Sequence, residues 1–219
     1  VIYGRIGNEV HLSTVISFDF LLCNNPPKIK FLLAQRNYIN LQLILKIMKF
    51  KNEEYEGETF KDIDLTAASF KSSKFIDCNF ENCNLSNIDL NSTKLKDVRF
   101  RNCKILGLDF SKCNDFMLSI GFEDSFLSYS VFSDMNLENT DFINCQIYDC
   151  DFLNTNLKNA NFEGSDLKNS QFSHTNLSFT SFRNAKNYNI DPNNNFLKKT
   201  RFSIPEVISL LNIYDLELE

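Results

Sequence analysis

The sequence predicts an all-β solenoid, a parallel coil with four flat sides, and three observations carry that expectation. Every fifth residue is apolar from Phe50 to Phe110 and again from Met117 to Phe182; in a chain that is 43% apolar, such a run has a chance expectation on the order of 10⁻¹⁰. Two positions before the large residue stands a small one: Ser125, Ser130, Thr140, Cys145, Cys150, Thr155, Ala160, Ser165, Ser170, Thr175 and Thr180 in the second tract, with Met135 the bulky exception. Asn and Asp crowd the position just before the large residue, as at Asp64, Asn84, Asp89, Asp109, Asn136, Asp141, Asp151, Asn156 and Asn161. A period of five fits neither the 3.6 of a helix nor the 2 of a plain strand. It fits short extended segments joined by corners. Residues two apart in extended backbone point to the same side, so each pentad supplies one small and one large inward residue, and the other three turn the corner toward water.

Taken in order, residues 1–47 stand outside the pattern. They lack the period and carry Arg5, Lys28, Lys30, Arg36 and Lys46 against Glu9 and Asp19, a net +3 in a chain of net charge −5. Because Met48 opens directly onto Phe50, the expectation is that Met48 is the biological start and that 1–47 is a non-repeat N-terminal extension. The alternative is a cap over the open edge of the first coil. The coil itself is expected over 48–187. Four pentads close a turn of about 20 residues, and successive turns stack at about 4.8 Å, the spacing of hydrogen-bonded strands. Phe alternates with Leu or Ile without a break from Phe122 to Phe182, which gives two opposite faces stacked with Phe and two stacked with Leu or Ile. In the first tract only Tyr55, Phe75 and Leu90 depart from this. The phase survives between the tracts if Met117 takes the Leu-type slot after Phe110, which places a two-residue insertion within 111–116.

Residues 188–219 read as a C-terminal cap and dimerisation segment. Ser203 offers an N-cap, Pro205 suits a first helical turn, and Val207, Leu210 and Leu211 share one face of a short helix. The tail IYDLELE alternates apolar and acidic residues, as an extended segment does.

The motifs NTDF, NANF, GSDL and HTNL recur through residues 48–187, and with them the chain resembles the pentapeptide-repeat proteins. Within that family it is similar to the Qnr-type branch, on ILGLDFSKC around Gly107, on NIDP from Asn189 to Pro192 and on the closing segment SIPEVISLLNIYDLELE. The resemblance implies a right-handed quadrilateral β-helix with a short C-terminal helical cap that forms a homodimer. It also implies a bacterial protein that binds DNA gyrase or topoisomerase IV by mimicking duplex DNA and protects it from quinolones. Many Qnr-type proteins carry two longer loops that interrupt the coil; here only two extra residues do so.

The residues argue against catalysis. Of seven cysteines, Cys78, Cys83, Cys103, Cys113, Cys145 and Cys150 fall in or near the small inward slot, and only Cys23 lies outside the repeat. Their five-residue spacing lacks the CxxC pairs and histidines of a zinc site, so they are expected to fill space as small buried hydrophobes. His11 and His174 have no nucleophile and orienting acid beside them, and no Gly-rich phosphate loop is present. The expectation is therefore no enzyme, no cofactor and no metal. VISFDFLL at 15–22 is interrupted by Asp19, and the apolar run at 31–47 is broken by Gln35, Arg36, Asn37 and Asn40. Neither reads as a signal peptide or a membrane span, so cytoplasmic residence is expected.

Charge is the remaining handle. Residues 121–170 hold Glu123, Asp124, Asp134, Glu138, Asp141, Asp149, Asp151, Glu163 and Asp166 against Lys158 and Lys168 only. On the four-sided plan, the face centred on Phe122, Phe142 and Phe162 displays Glu123, Asp124, Asp141 and Glu163, with Asp134 and Asp151 completing the candidate partner-binding surface. Carboxylates on stacked coils form a rigid strip, as phosphates do along a duplex, and would draw a basic groove. Direct binding of nucleic acid has the wrong sign.

Overall fold

The computed structural model describes residues 50–66, 68–214 and 216–217; the expected extension at 1–47, with Met48, lies outside them. The described chain is a parallel β-solenoid of about seven turns. Every ladder is parallel. The second face makes a five-stranded sheet from Thr59–Lys61, Asn79–Glu81, Val98–Arg101, Ile120–Glu123 and Asp141–Ile143. The first face pairs Glu54–Glu56, Lys74–Ile76 and Lys94–Lys96, and the third pairs Lys104–Leu106, Phe126–Ser128 and Gln146–Tyr148.

Two sets of polar residues turn the corners. The residue before the large one does what its chemistry suggests: Asp64, Asn84, Asp89, Asp151 and Asn161 accept the backbone N–H two residues on, at 2.9–3.2 Å. A second set lies two positions after the large residue, in left-handed backbone, at Asn82, Asp97, Asn102, Asn144, Asn154 and Asn159 among others. Asn and Asp tolerate that conformation better than most side chains, and here several bond along the axis as well, Asn82 to Asp62 at 2.8 Å and Asn102 to Asn82 at 2.8 Å.

The interior is a packed column without a lumen. On the second face Phe60, Phe80, Phe100, Phe122, Phe142, Phe162, Phe182 and Phe202 stack with ring centroids 4.7–5.2 Å apart. The fourth face stacks Phe110, Phe132, Phe152 and Phe172 in the same way. The two columns meet edge to face, as Phe142 and Phe152 do at 5.8 Å and 87°, an arrangement the ring quadrupole favours. Leu137, Leu157 and Leu177 on the first face and Leu127, Ile147 and Leu167 on the third are buried, so the expected alternation of faces holds. The small slot also has a polar task. Thr93, Thr155, Thr175 and Thr180 each donate the hydroxyl to the carbonyl of the large residue 23 positions back, at 2.7–2.8 Å. Ser73 does the same to Phe50.

Four expectations change. The insertion has two residues, but the registers Lys94↔Asn114 and Val98↔Ile120 place it at 115–119. Met117 is not inward: it is 56% exposed in left-handed backbone, and Leu118 is the half-buried apolar residue of this turn. The coil also runs past residue 187. Gln171–Phe172 pairs with Asn189–Ile190 and Ser181–Phe182 with Arg201–Phe202, because Tyr188, Ile190 and Phe202 supply inward side chains at an altered spacing. Finally the cap is a 3-10 segment, Glu206–Tyr214, which takes in the start of the tail expected to be extended. Ser203 does not cap it with its side chain; the hydroxyl accepts the Asn184 N–H at 2.9 Å, holding the cap to the coil.

Candidate protein-interaction surface

The ladders decide which charges meet. On the second face one outward column runs Lys61, Glu81, Arg101, Glu123, Ile143, and the other Thr59, Asn79, Arg99, Gly121, Asp141, Asn161, Ser181, Arg201. Lys61 pairs with Glu81 at 3.1 Å and Arg101 with Glu123 at 3.0 Å. Glu123 is therefore neutralised by the coil below it. Asp124 occupies the adjoining left-handed corner, and Asp141 and Glu163 are half-buried in the next coils, neither in an ion pair with a described residue. Beyond them Arg183 and Arg201 share a groove with Asp141 and Glu163.

Glu123, Asp124, Asp141 and Glu163 do come together on one face. Asp134 and Asp151 do not join them. Both belong to the Phe132 and Phe152 coils of the fourth face, across the coil, where Asp134 accepts from Asn154 Nδ2 at 3.2 Å and Asp151 from the Leu153 N–H at 2.9 Å. Sequence reasoning missed the bases: Arg99, Arg101, Arg183 and Arg201, the four arginines within the described residues, all lie on the second face. The signal was available, since Arg101 precedes Glu123 by the same 22 residues that separate Phe100 from Phe122.

At the C-terminal end Val207 and Leu210 are half-buried, whereas Pro205 and Leu211 are exposed. Ile208, Leu211 and Tyr214 recur every three residues, the period of a 3-10 helix, and are 45%, 38% and 50% exposed. Beneath the cap the Tyr188 phenol is pushed up to about 12 by burial and by the Glu206 charge.

Burial makes most of the thiols poor nucleophiles. Burial pushes Cys145 and Cys150 up to about 12, and Cys113 likewise, so they stay protonated at neutral pH. Cys83 and Cys103, stacked one coil apart, are reduced and buried, each donating to a carbonyl of the preceding coil at 3.3 Å. His174 stands at an exposed corner beside Ser173. Among the described residues no three metal-ligating side chains converge, and no helix is long and apolar enough to cross a membrane.

The chain matches the family description "Pentapeptide repeat region" over residues 56–125 and "Pentapeptide repeats (8 copies)" over 122–154 and 150–186. Two trypsin-treated forms of QnrB1, a plasmid-mediated fluoroquinolone resistance protein, match it with a TM-score of 0.52 at 18% and 19% identity, each alignment covering 78% of this chain and 92% of that one. HetL, a pentapeptide repeat protein involved in heterocyst differentiation regulation in Nostoc sp. strain PCC 7120, is 13% identical over 82% of this chain and 93% of its own, with a TM-score of 0.34. No curated protein matches the chain. At such identities the likeness to QnrB1 shows the fold alone.

Proposed function

The chain belongs to the pentapeptide-repeat family, and from that premise we propose that it is a non-catalytic, cytoplasmic interaction protein that binds a type II topoisomerase, DNA gyrase or topoisomerase IV, and shields it from quinolones. The observation that carries this reading is the set of carboxylates fixed on the C-terminal half of the coil without a counter-ion. Asp124, Asp134, Asp141, Asp149, Asp151 and Glu163 make no ion pair with a described residue. A rigid array of that sign suits a groove built for the phosphates of duplex DNA. The exposed Ile208, Leu211 and Tyr214 support a homodimer through the C-terminal cap. Leu211→Asp should then shift the chain from dimer to monomer in light scattering.

The deciding experiment is a supercoiling assay with purified gyrase, with and without a quinolone. Restored supercoiling in the presence of drug is the expected result. Failure to alter gyrase in either arm would favour a second reading, a scaffold for another protein partner, which the arginines on the second face and the two-residue bulge in place of long loops both support.

A further inference from the structure

Midway along the coil, the outward positions of the third face depart from their neighbours. Lys104, Phe126, Gln146 and Asp166 stack in one column, and Phe126 is its aromatic member; Leu106, Ser128 and Tyr148 stack in the other. Phe126 and Tyr148 meet edge to face at 5.7 Å. At the adjoining corner Gly107, Tyr129 and Asp149 follow one another in left-handed backbone, with φ of 67°, 52° and 53°. Asn, Asp, Ser or Gly fills most such corners, because a larger side chain crowds its own carbonyl there. Tyr129 is nevertheless 64% exposed, so packing does not offset the strain. Phe179, the other aromatic at such a corner, is half-buried and lies under the Lys199 ammonium at 5.8 Å.

Around that corner Asp109, Val131 and Asp151 stack on the fourth face. Asp109 and Asp166, at the edges of the patch, are within 3.8 and 3.7 Å of Lys112 and Lys186. Among the described residues Asp149 and Asp151, beside the rings, accept only neutral donors, Asn169 Nδ2 at 3.1 Å and the Leu153 N–H at 2.9 Å. The exposed Tyr129 ring, beside the half-buried Tyr148, whose hydroxyl donates to Asp166 at 3.3 Å, and bordered by Asp149 and Asp151, suits a planar cation that can lie on a ring and reach an acid at once. Tyrosine and arginine are also the side chains that most often anchor protein interfaces.

We propose that the Tyr129 corner is the anchor for a basic protein partner, whose arginine side chains lie on Tyr129 and Tyr148 and reach Asp149 and Asp151. This rests on the reading of the chain as an interaction protein and states where the partner is held. With seven tyrosines and no tryptophan, the chain reports on itself through tyrosine fluorescence. Titration with deca-arginine and deca-lysine peptides should show arginine bound several-fold more tightly. Tyr129→Asn should weaken deca-arginine about tenfold while the melting temperature stays level or rises, since Asn suits the corner. Asp149→Asn with Asp151→Asn should cause a similar loss, and Glu123→Gln with Asp141→Asn less than a twofold one. Unchanged affinity of Tyr129→Asn, a fall in its melting temperature, or no preference for arginine would each overturn the proposal. Parallel titration with gyrase separates the two readings: gyrase bound equally by wild type and Tyr129→Asn removes the anchor alone, whereas Tyr129-dependent capture of deca-arginine without any gyrase binding removes the topoisomerase alone.

Discussion

The two halves of the coil share one plan and fill it differently. In the N-terminal half the small slot holds mostly apolar residues, Ile63, Ala68, Cys78, Cys83, Ile88, Val98, Cys103 and Leu108 beside Ser73 and Thr93; in the C-terminal half it holds mostly Ser and Thr. The Phe stacks respond. Rings in the first half lie 14–17° from parallel at Phe60, Phe80 and Phe100, whereas Phe142, Phe162 and Phe182 lie within 1°. A small hydroxyl that bonds to the coil below leaves the ring's place undisturbed, and a branched apolar side chain crowds it. The surfaces differ in the same direction: residues 51–110 hold eleven acids against nine bases, whereas residues 121–170 hold nine acids against Lys158 and Lys168. Regular interior and acidic exterior coincide in the half assigned to a partner.

The sharpest way to break this comparison is a cavity in each half. Phe162 is held between Phe142 and Phe182 at 4.7 and 5.1 Å, so Phe162→Ala should cost about 4 kcal/mol in chemical denaturation. Phe80→Ala, whose ring stacks 14–17° off parallel with its neighbours, should cost about 3 kcal/mol. Similar losses at both positions would mean that the halves are packed alike.

The hydroxyl ladder gives a smaller effect. Thr175→Val leaves the Phe152 carbonyl buried without its 2.7 Å donor and should cost about 1–2 kcal/mol. Val98→Thr should be nearly neutral, because its new hydroxyl meets the carbonyl of Phe75 in the pattern the ladder already uses. A large loss there would show that the ladder stops at Thr93 and that position 98 has no acceptor to offer.

Thiol titration sharpens the comparison further. Cys145 and Cys150 are raised from 9.0 to about 12, so the folded chain keeps protons that the unfolded chain releases. Their stabilisation is complete below pH 9 and declines as pH rises from 9 toward 12, by about 1 kcal/mol per pH unit for each thiol. Replacing both by Ser should flatten that decline. In the first half the contact between Cys83 and Cys103 moves the two in opposite directions, Cys83 down and Cys103 up, so the same double replacement there should alter the slope less.

Much of this was legible in the sequence, for a physical reason: a coil that repeats every few residues writes its inward side chains at fixed spacing. The Phe and Leu faces and the turn-forming Asp and Asn before them follow from that spacing. Met117 failed because an apolar count cannot tell an inward residue from one lifted onto a bulge; only the register of Asn114 and Ile120 reveals the difference. The left-handed corners escaped because their occupants are mixed, Asn102 and Asp134 but also Tyr129, His174 and Phe179. Glu123 reads as an unpaired acid on its own face until the 22-residue coil between Arg101 and Glu123 is taken into account. The cap was legible as apolar but not as 3-10: Val207, Leu210 and Leu211 share a face at the α-helical spacing, whereas at three residues per turn Leu211 joins Ile208 and Tyr214 on the exposed side.

The central claim, that the unpaired carboxylates of the C-terminal half stand in for phosphates, is tested most directly by gyrase binding across a salt series with duplex DNA as competitor. Binding should be strong at low salt, weaken steeply as salt rises, yield to duplex DNA, and vanish when the unpaired Asp124, Asp141 and Glu163 are converted to Lys together with Glu123, whose reversal also sets a Lys against Arg101. Conversion of Asp62, Asp64, Asp77 and Glu81 should cost far less. No binding at low salt, or equal behaviour of the two quadruple variants, would contradict it.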